Sequence, residues 1–184
     1  MIESIEPSKS ITFIREAFQQ GDIRYEDPEG AHRLAHFLDN KAIEIEKIMI
    51  SDIEVSAEEL KGVKPPQEVY KIIARRFLEK EGYHIIGYER WLCGGKVDVL
   101  AQHSSNKTVV AVECCSCRIT KALDFLEREN TILWILSLGE SFPIHELPLF
   151  IVKRGPNWEK SIELYHQDRI SELRKIKNIL DKNP

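Results

Sequence analysis

The sequence predicts an α/β (α+β) fold, a mixed β-sheet flanked by helices, with a mostly helical region ahead of it. Three observations carry this. Residues 66–83 set Val69, Ile72, Ile73, Phe77 and Leu78 on one helical face. Residues 84–116 hold three β-rich segments separated by the short turns CGG and HSSNK. Residues 131–138, TILWILSL, are a nearly continuous apolar run after an amphipathic helix, as a strand covered on both faces requires. Hairpin-linked strands followed by a crossover helix imply a sheet of mixed sense.

In chain order, Ile11, Ile14 and Phe18, then Leu34, Phe37 and Leu38, fall at helical spacings on either side of the loop GDIRYEDPEG. Residues 42–50 alternate apolar and charged side chains and fit either a strand or a helix. Ser56 followed by Glu58 and Glu59 reads as a helix start, and GVKPP at 62–66 as a break before a new helix. Gly82 is placed to end that helix. The segment HIIGYERWL is a strand. In KVDVLAQ, Val97, Val99 and Ala101 are expected on one face and Lys96, Asp98 and Leu100 on the other. The third strand is TVVAVECC, and RITKALDFLERE is an amphipathic helix. LPLFIVKRG is a further strand. Residues 157–183 are helical, with Ile170, Leu173, Ile176 and Leu180 recurring along one face. Two parts follow: an acidic, mostly helical N-terminal region, 1–62, and a domain with a C-terminal helix, 63–184.

Apolar residues make up 42% of the 184, enough for a substantial core, which argues against a disordered chain or a disulfide-stapled scaffold. There is neither a membrane-length apolar stretch nor the pattern of a signal peptide, so the expected setting is cytoplasmic and away from membranes. The net charge of −4 is unevenly spread. Residues 1–59 hold 6 Lys and Arg against 14 Asp and Glu, a net −8, while residues 60–184 hold 20 against 16, a net +4. The second part can therefore carry a basic face despite the acidic total. Of the four cysteines, Cys114, Cys115 and Cys117 are crowded into ECCSC, with Cys93 apart. A single C-x-x-C is half of a structural zinc site, so small buried strand residues are the simpler reading, with an intermolecular metal or redox site as a lesser one.

Asp98 and Glu113 are the candidate chemical pair. They lie 15 residues apart on strands joined by a tight turn, which brings the strands to about 5 Å. Each interrupts an apolar strand. A lone buried carboxylate is costly, and two converging ones are tolerable beside a cation. Hard oxygen ligands with room for water suit Mg²⁺ or Mn²⁺ better than zinc. The alternative is that one or both sit at a strand end in water.

The stretches QEVYKIIARRFLEKEGY, GGKVDVLA and VVAVECCSCR, in that order, resemble the core of the PD-(D/E)xK nuclease superfamily, the restriction-endonuclease-like fold. The layout is similar to that of archaeal Holliday-junction resolvases and YraN-like proteins, and covers residues 67 to about 153. The resemblance implies metal-dependent hydrolysis of phosphodiester bonds, DNA being the expected substrate. It implies that Asp98, Glu113 and the carbonyl of Cys114 hold Mg²⁺ or Mn²⁺, with Glu68 completing the site, and that the metal activates water and stabilises the phosphate's charge.

The pattern departs from the family at Cys115, where a lysine normally orients the water. Three readings stay open. The lysine has migrated, to Lys96 on the Asp98 strand or to Lys121 at the start of the next helix. The cysteine is tolerated in a slower enzyme. Or the centre is inactive and the fold binds nucleic acid or a protein partner, with the acidic region as an interaction surface or a cover for the basic face. Arg75, Arg76, Arg118, Lys153 and Arg154 are the candidate phosphate contacts, and Trp91 a candidate stacking surface for a base. Cutting both strands of a duplex would call for a homodimer.

Overall fold

A computed structural model describes residues 9–18, 28–51, 55–56, 58–59, 61–62, 66–92, 95–115, 117–137 and 146–182. The elements run α1 (Lys9–Phe18), α2 (Pro28–Asp39), β1 (Ile43–Ser51), α3 (Pro66–Lys80), β2 (Tyr83–Leu92), β3 (Gly95–His103), β4 (Val109–Cys115), α4 (Ile119–Leu126), β5 (Thr131–Ser137), β6 (Glu146–Arg154) and α5 (Trp158–Lys182). The chain is α+β, with a six-stranded mixed sheet in the order β1-β6-β5-β4-β3-β2. Only β4 and β5 run parallel, because α4 crosses between them, and the other neighbours are antiparallel.

Helices cover both faces. On one, α1, α2, α4 and the start of α5 bury Ile14, Leu34, Phe37, Phe125 and Trp158 against Leu133, Ile135, Phe150 and Val152. On the other, α3 buries Tyr70, Ile73 and Leu78 against Val99, Val110, Val112, Trp134 and Leu136. The alternation along β5 explains its unbroken apolar run. Leu133 and Ile135 serve one core and Trp134 and Leu136 the other, so no position is left for a polar side chain.

The N-terminal region is built into this sheet. Residues 43–51, which fit strand or helix by sequence, form the edge strand β1. It pairs with β6 over its full length, from Ile43 opposite Arg154 to Ser51 opposite Glu146. Helices α1 and α2 sit in the same core as α4, so the packing does not divide at residue 62. Ser56 and Glu59 do exchange the reciprocal hydrogen bonds of a helix start, at 3.0–3.2 Å. The described residues after them, 58–59 and 61–62, form turns, so a capped turn stands where a helix start was expected.

Two glycines are required by geometry. Gly82 ends α3 with φ +84°, a left-handed conformation that a side chain would strain. A Cβ on Gly155 would lie 2.3 Å from the carbonyl oxygen of Lys41, where the exit of β6 crosses the entry of β1. The turn residues Cys93 and Gly94 lie outside the described residues, as do 19–27 and 63–65. No helix among the described residues is long and apolar enough to cross a membrane.

Because Ile43 is only 1% exposed in β1, Ile43→Ala is expected to destabilise the whole protein by about 2–5 kcal/mol. Urea unfolding followed by circular dichroism checks this. A main transition that does not move would mean that the N-terminal region folds apart from the rest.

Candidate active site

The β3–β4 ladder runs from Gln102 opposite Val109 to Val99 opposite Val112 and stops there. The next residues in register are Asp98 and Glu113. Beyond this point the backbone N–H of Cys114 donates to Asp98 Oδ2 at 2.7 Å, so a carboxylate takes the place of a strand carbonyl. The strict alternation expected along β3 breaks at this place. Val97 packs in the α4-side core together with Leu100, while Val99 and Ala101 pack under α3. With its ladder to β4 ended, β3 can rotate, and Asp98 leans towards α3, where Gln67 Nε2 donates to its Oδ1 at 2.9 Å.

Glu113 is held from the other helix. Lys121 Nζ, in the first turn of α4, lies 3.3 and 3.2 Å from its two carboxylate oxygens and also donates to the carbonyl of Lys96 at 2.8 Å. The Lys121 stem passes over Gly95, where a Cβ would stand in ordinary contact with it at 3.4 Å. Thus of the two lysines expected from sequence, Lys121 reaches the acid pair. Lys96 Nζ turns to Glu89 Oε2, at 2.9 Å, on β2.

Burial sets the electrostatics. Asp98 is 8% exposed and Glu113 5%. Desolvation pushes the Glu113 carboxyl up to about 7 against the pull of Lys121, and the charge of Asp98 adds to the rise. Burial also raises Asp98, although the Cys114 N–H, Lys71 and Gln67 favour its ionised form. Lys71 was not singled out by sequence, yet it is buried beside this pair. Burial opposes its charge, but hydrogen bonds to Glu89 and to Glu68, the latter at 2.9 Å, outweigh that and hold it protonated. Glu89 in turn is lowered by Lys71 and then by Lys96.

Sequence reasoning also missed Gln67 and Glu89. Gln67 and Lys71 are four residues apart on α3, on the helix face that meets β3, a spacing that flags them once the helix is placed. Glu89 carries a φ of 51° within β2, which nothing in the sequence announces.

Glu68, the third carboxylate of the expected metal set, is engaged by Lys71, and among the described residues no three His, Cys, Asp or Glu side chains converge as a metal-holding group. Cys114 is buried on the α3 side and Cys117 on the α4 side, and burial raises both thiols. Cys115 ends β4 with φ 75°, and burial lifts its thiol to about 11, so it is neutral near pH 7.

The expected phosphate contacts are dispersed. Arg75 and Arg76 both bind Glu59, at 3.0 and 2.6 Å. Lys153 pairs across the strands with Glu44 at 3.1 Å. Arg154 donates to the carbonyls of Leu126 and Glu127, closing the end of α4, and stacks on Trp158. Arg118 is exposed just ahead of α4, on the Lys121 side. Trp91 is opposite Lys96 in register and 74% exposed, the most open large apolar side chain among the described residues.

In metal-free buffer the raised Glu113 makes stability depend on pH. Its folded-state value near 7 lies above the ordinary 4.5, so the folded state binds the proton more tightly. Stability is greatest below about 4.5 as far as this group is concerned and falls as pH rises through about 7, by on the order of 3 kcal/mol. Unfolding of wild type and Glu113→Gln across this range checks it, with the fall expected to be smaller in the variant, where only the raised Asp98 remains of the pair.

No protein-family model, curated protein or solved structure matches this chain. Function is therefore read from the acid pair and the lysine laid across it.

Proposed function

We propose that the chain is a metal-dependent nuclease that hydrolyses phosphodiester bonds, DNA before RNA, at the open end of the β3–β4 ladder. The observation that carries this is Lys121 Nζ lying on Glu113. An ammonium is present beside the acid pair although the strand position two residues after Glu113 is Cys115. The order from α3 onward, helix, three antiparallel strands, crossover helix and parallel strand, supports the same reading.

The donor set fits a hard divalent cation. Two buried carboxylates with raised proton affinity gain from a positive charge between them, and Mg²⁺ commonly uses one or two carboxylates and keeps its waters. Asp98, Glu113 and the carbonyl of Cys114 would hold it. When bound, it supplies a water of lowered pKa and neutralises charge at the phosphate. The chain's own groups do the rest. Gln67 and the Cys114 N–H fix both oxygens of Asp98. Lys121 orients Glu113 and brings a cation to the charge that builds on the phosphate. Lys71 stays charged beside them and limits the negative field that would repel a polyanion. Trp91 offers an exposed face for a base.

A second reading, a non-catalytic module that binds nucleic acid or a protein partner, is favoured by Cys115. Its neutral thiol and left-handed backbone put no charge where the family has one.

Cleavage of single-stranded, duplex and branched DNA with Mg²⁺ or Mn²⁺ separates the two. The expected result is metal-dependent cleavage that is lost in Asp98→Asn and Glu113→Gln. Lys121→Ala should lower the rate by ~10²–10³, and Lys96→Ala should change it little. Absence of cleavage under all conditions supports the binding module. Activity that survives loss of both carboxylates would sink the nuclease mechanism.

A further inference from the structure

Among the described residues three charged side chains are buried, and all three belong to one place. Two are the acid pair, Asp98 and Glu113. The third is Lys71 on α3, 7% exposed. A lysine is rarely buried unless its charge is paired. Lys71 Nζ donates to Glu68 Oε1 at 2.9 Å and to Glu89 Oε1. Both of these carboxylates are about half exposed, so the ammonium, not the acids, is the group withdrawn from water.

Strand register locates this ammonium. Tyr88 opposite Val99 and Arg90 opposite Val97 set Glu89 opposite Asp98, and Val99 opposite Val112 sets Asp98 opposite Glu113. Glu89, Asp98 and Glu113 thus form one row across β2, β3 and β4. Like charges on neighbouring strands repel, and the left-handed backbone of Glu89, φ 51°, is a further cost borne at this row. A helix closes each end of the row with a lysine, α4 with Lys121 on Glu113 and α3 with Lys71 on Glu89. With all groups ionised, Glu68 and Glu89 carry −2, and Lys71 and Lys96 return +2. Asp98 and Glu113 also carry −2, and Lys121 returns only +1. Asp98 itself receives neutral donors, from Gln67 and the Cys114 N–H. The uncompensated charge is therefore at the acid pair, and the Glu68–Glu89 side is already neutral.

We propose that Lys71 is a fixed second cation of the site. Its ammonium takes the place that a second divalent ion would have between Glu68 and Glu89, so the chain binds one divalent ion and not two. Only the first ion rests on the reading of Asp98 and Glu113 as a metal site. Mg²⁺ and Mn²⁺ need no more than one or two carboxylates, with water as the remaining ligands, and two-ion centres are common where phosphodiesters are cut. Glu68 and Glu89 are such a pair of carboxylates, and Lys71 keeps them from an ion by holding both. Glu68, expected from sequence to complete the shell of the first ion, belongs to the lysine instead.

Titration of the full chain with Mn²⁺, with the unbound ion counted by electron paramagnetic resonance, tests this. Wild type is expected to bind one ion, which Asp98→Asn loses. Lys71→Ala and Lys71→Gln should each bind one ion more than wild type, and adding Glu89→Gln should abolish that extra ion alone. Lys71→Arg keeps the charge and should bind as wild type does, which a merely structural role for the side chain does not require. If Lys71→Ala fails to fold, Lys71→Gln, which keeps most of the stem, decides. Mn²⁺ should raise the thermal melt of Lys71→Gln more than that of wild type. Two ions on wild type overturn the proposal, as does a folded Lys71→Gln with no extra ion or an extra ion that survives Glu89→Gln. A wild type that binds no ion removes the acid pair as a metal site. In that case one ion on Lys71→Gln supports the role of Lys71, and none overturns it.

Discussion

Two carboxylates sit at adjacent positions on the central strands of a sheet covered by helices on both faces, and the surrounding structure is arranged around that burden. Burial raises the proton affinity of both, so their ionised forms cost free energy in the fold. The cost is limited from three directions. The backbone of β4 gives a hydrogen bond to Asp98, α3 gives the amide of Gln67, and α4 gives the ammonium of Lys121 to Glu113. Each of these donors belongs to an element that is itself fixed by apolar packing, α3 through Tyr70 and Leu78, α4 through Phe125 and Leu126. The two cores therefore do more than stabilise: they hold polar groups from opposite faces at one place in the sheet, where loops would leave them free to withdraw into water.

The polar groups form a chain rather than a set of separate pairs. Lys71 joins Glu68 on its own helix to Glu89 on β2, Glu89 joins Lys96 on β3, and the carbonyl of Lys96 meets Lys121 on α4. Lys71 is its buried link, while Glu68, Glu89 and Lys96 are about half exposed to water. Against this, the basic residues farther from the pair are absorbed by the fold. Arg154 caps α4 and Arg75 and Arg76 anchor the turn at Glu59. The excess positive charge counted over residues 60–184 is thus partly engaged within the fold. Part of it is spent neutralising acids of the N-terminal region, as Lys153 does with Glu44 and the two arginines do with Glu59.

The elements from α3 to α5 were legible because periodicity and turn residues are local signals. Gly82, the HSSNK turn and the apolar run of β5 each state their own conformation. Strand β1 was not. Its alternation fits two periods over so short a stretch, and the deciding partner, β6, lies about a hundred residues away. The pairing of Asp98 with Glu113 could be read from a hairpin with a fixed register. The choice between Lys96 and Lys121 could not, since it depends on how α4 packs over Gly95 and on Glu89 claiming Lys96. Lys71 was hidden for a related reason. A lysine in a helix reads as solvated, and only the convergence of β2 and β3 buries it.

At Cys115 the end of β4 carries a neutral thiol, and the cation beside Glu113 comes from α4. The residue has left strand geometry, with φ 75°, and a long side chain there would project from a left-handed backbone that non-glycine residues adopt at a cost. Helix α4 begins four residues later and must cross the sheet so that β5 can run parallel to β4. Its first turn is thereby brought over the end of β4, and Lys121 arrives at Glu113 on a rigid helical backbone with its stem against Gly95. The topology supplies a cation at the acid pair whichever residue ends the strand, and the strand end is then free to carry a small thiol.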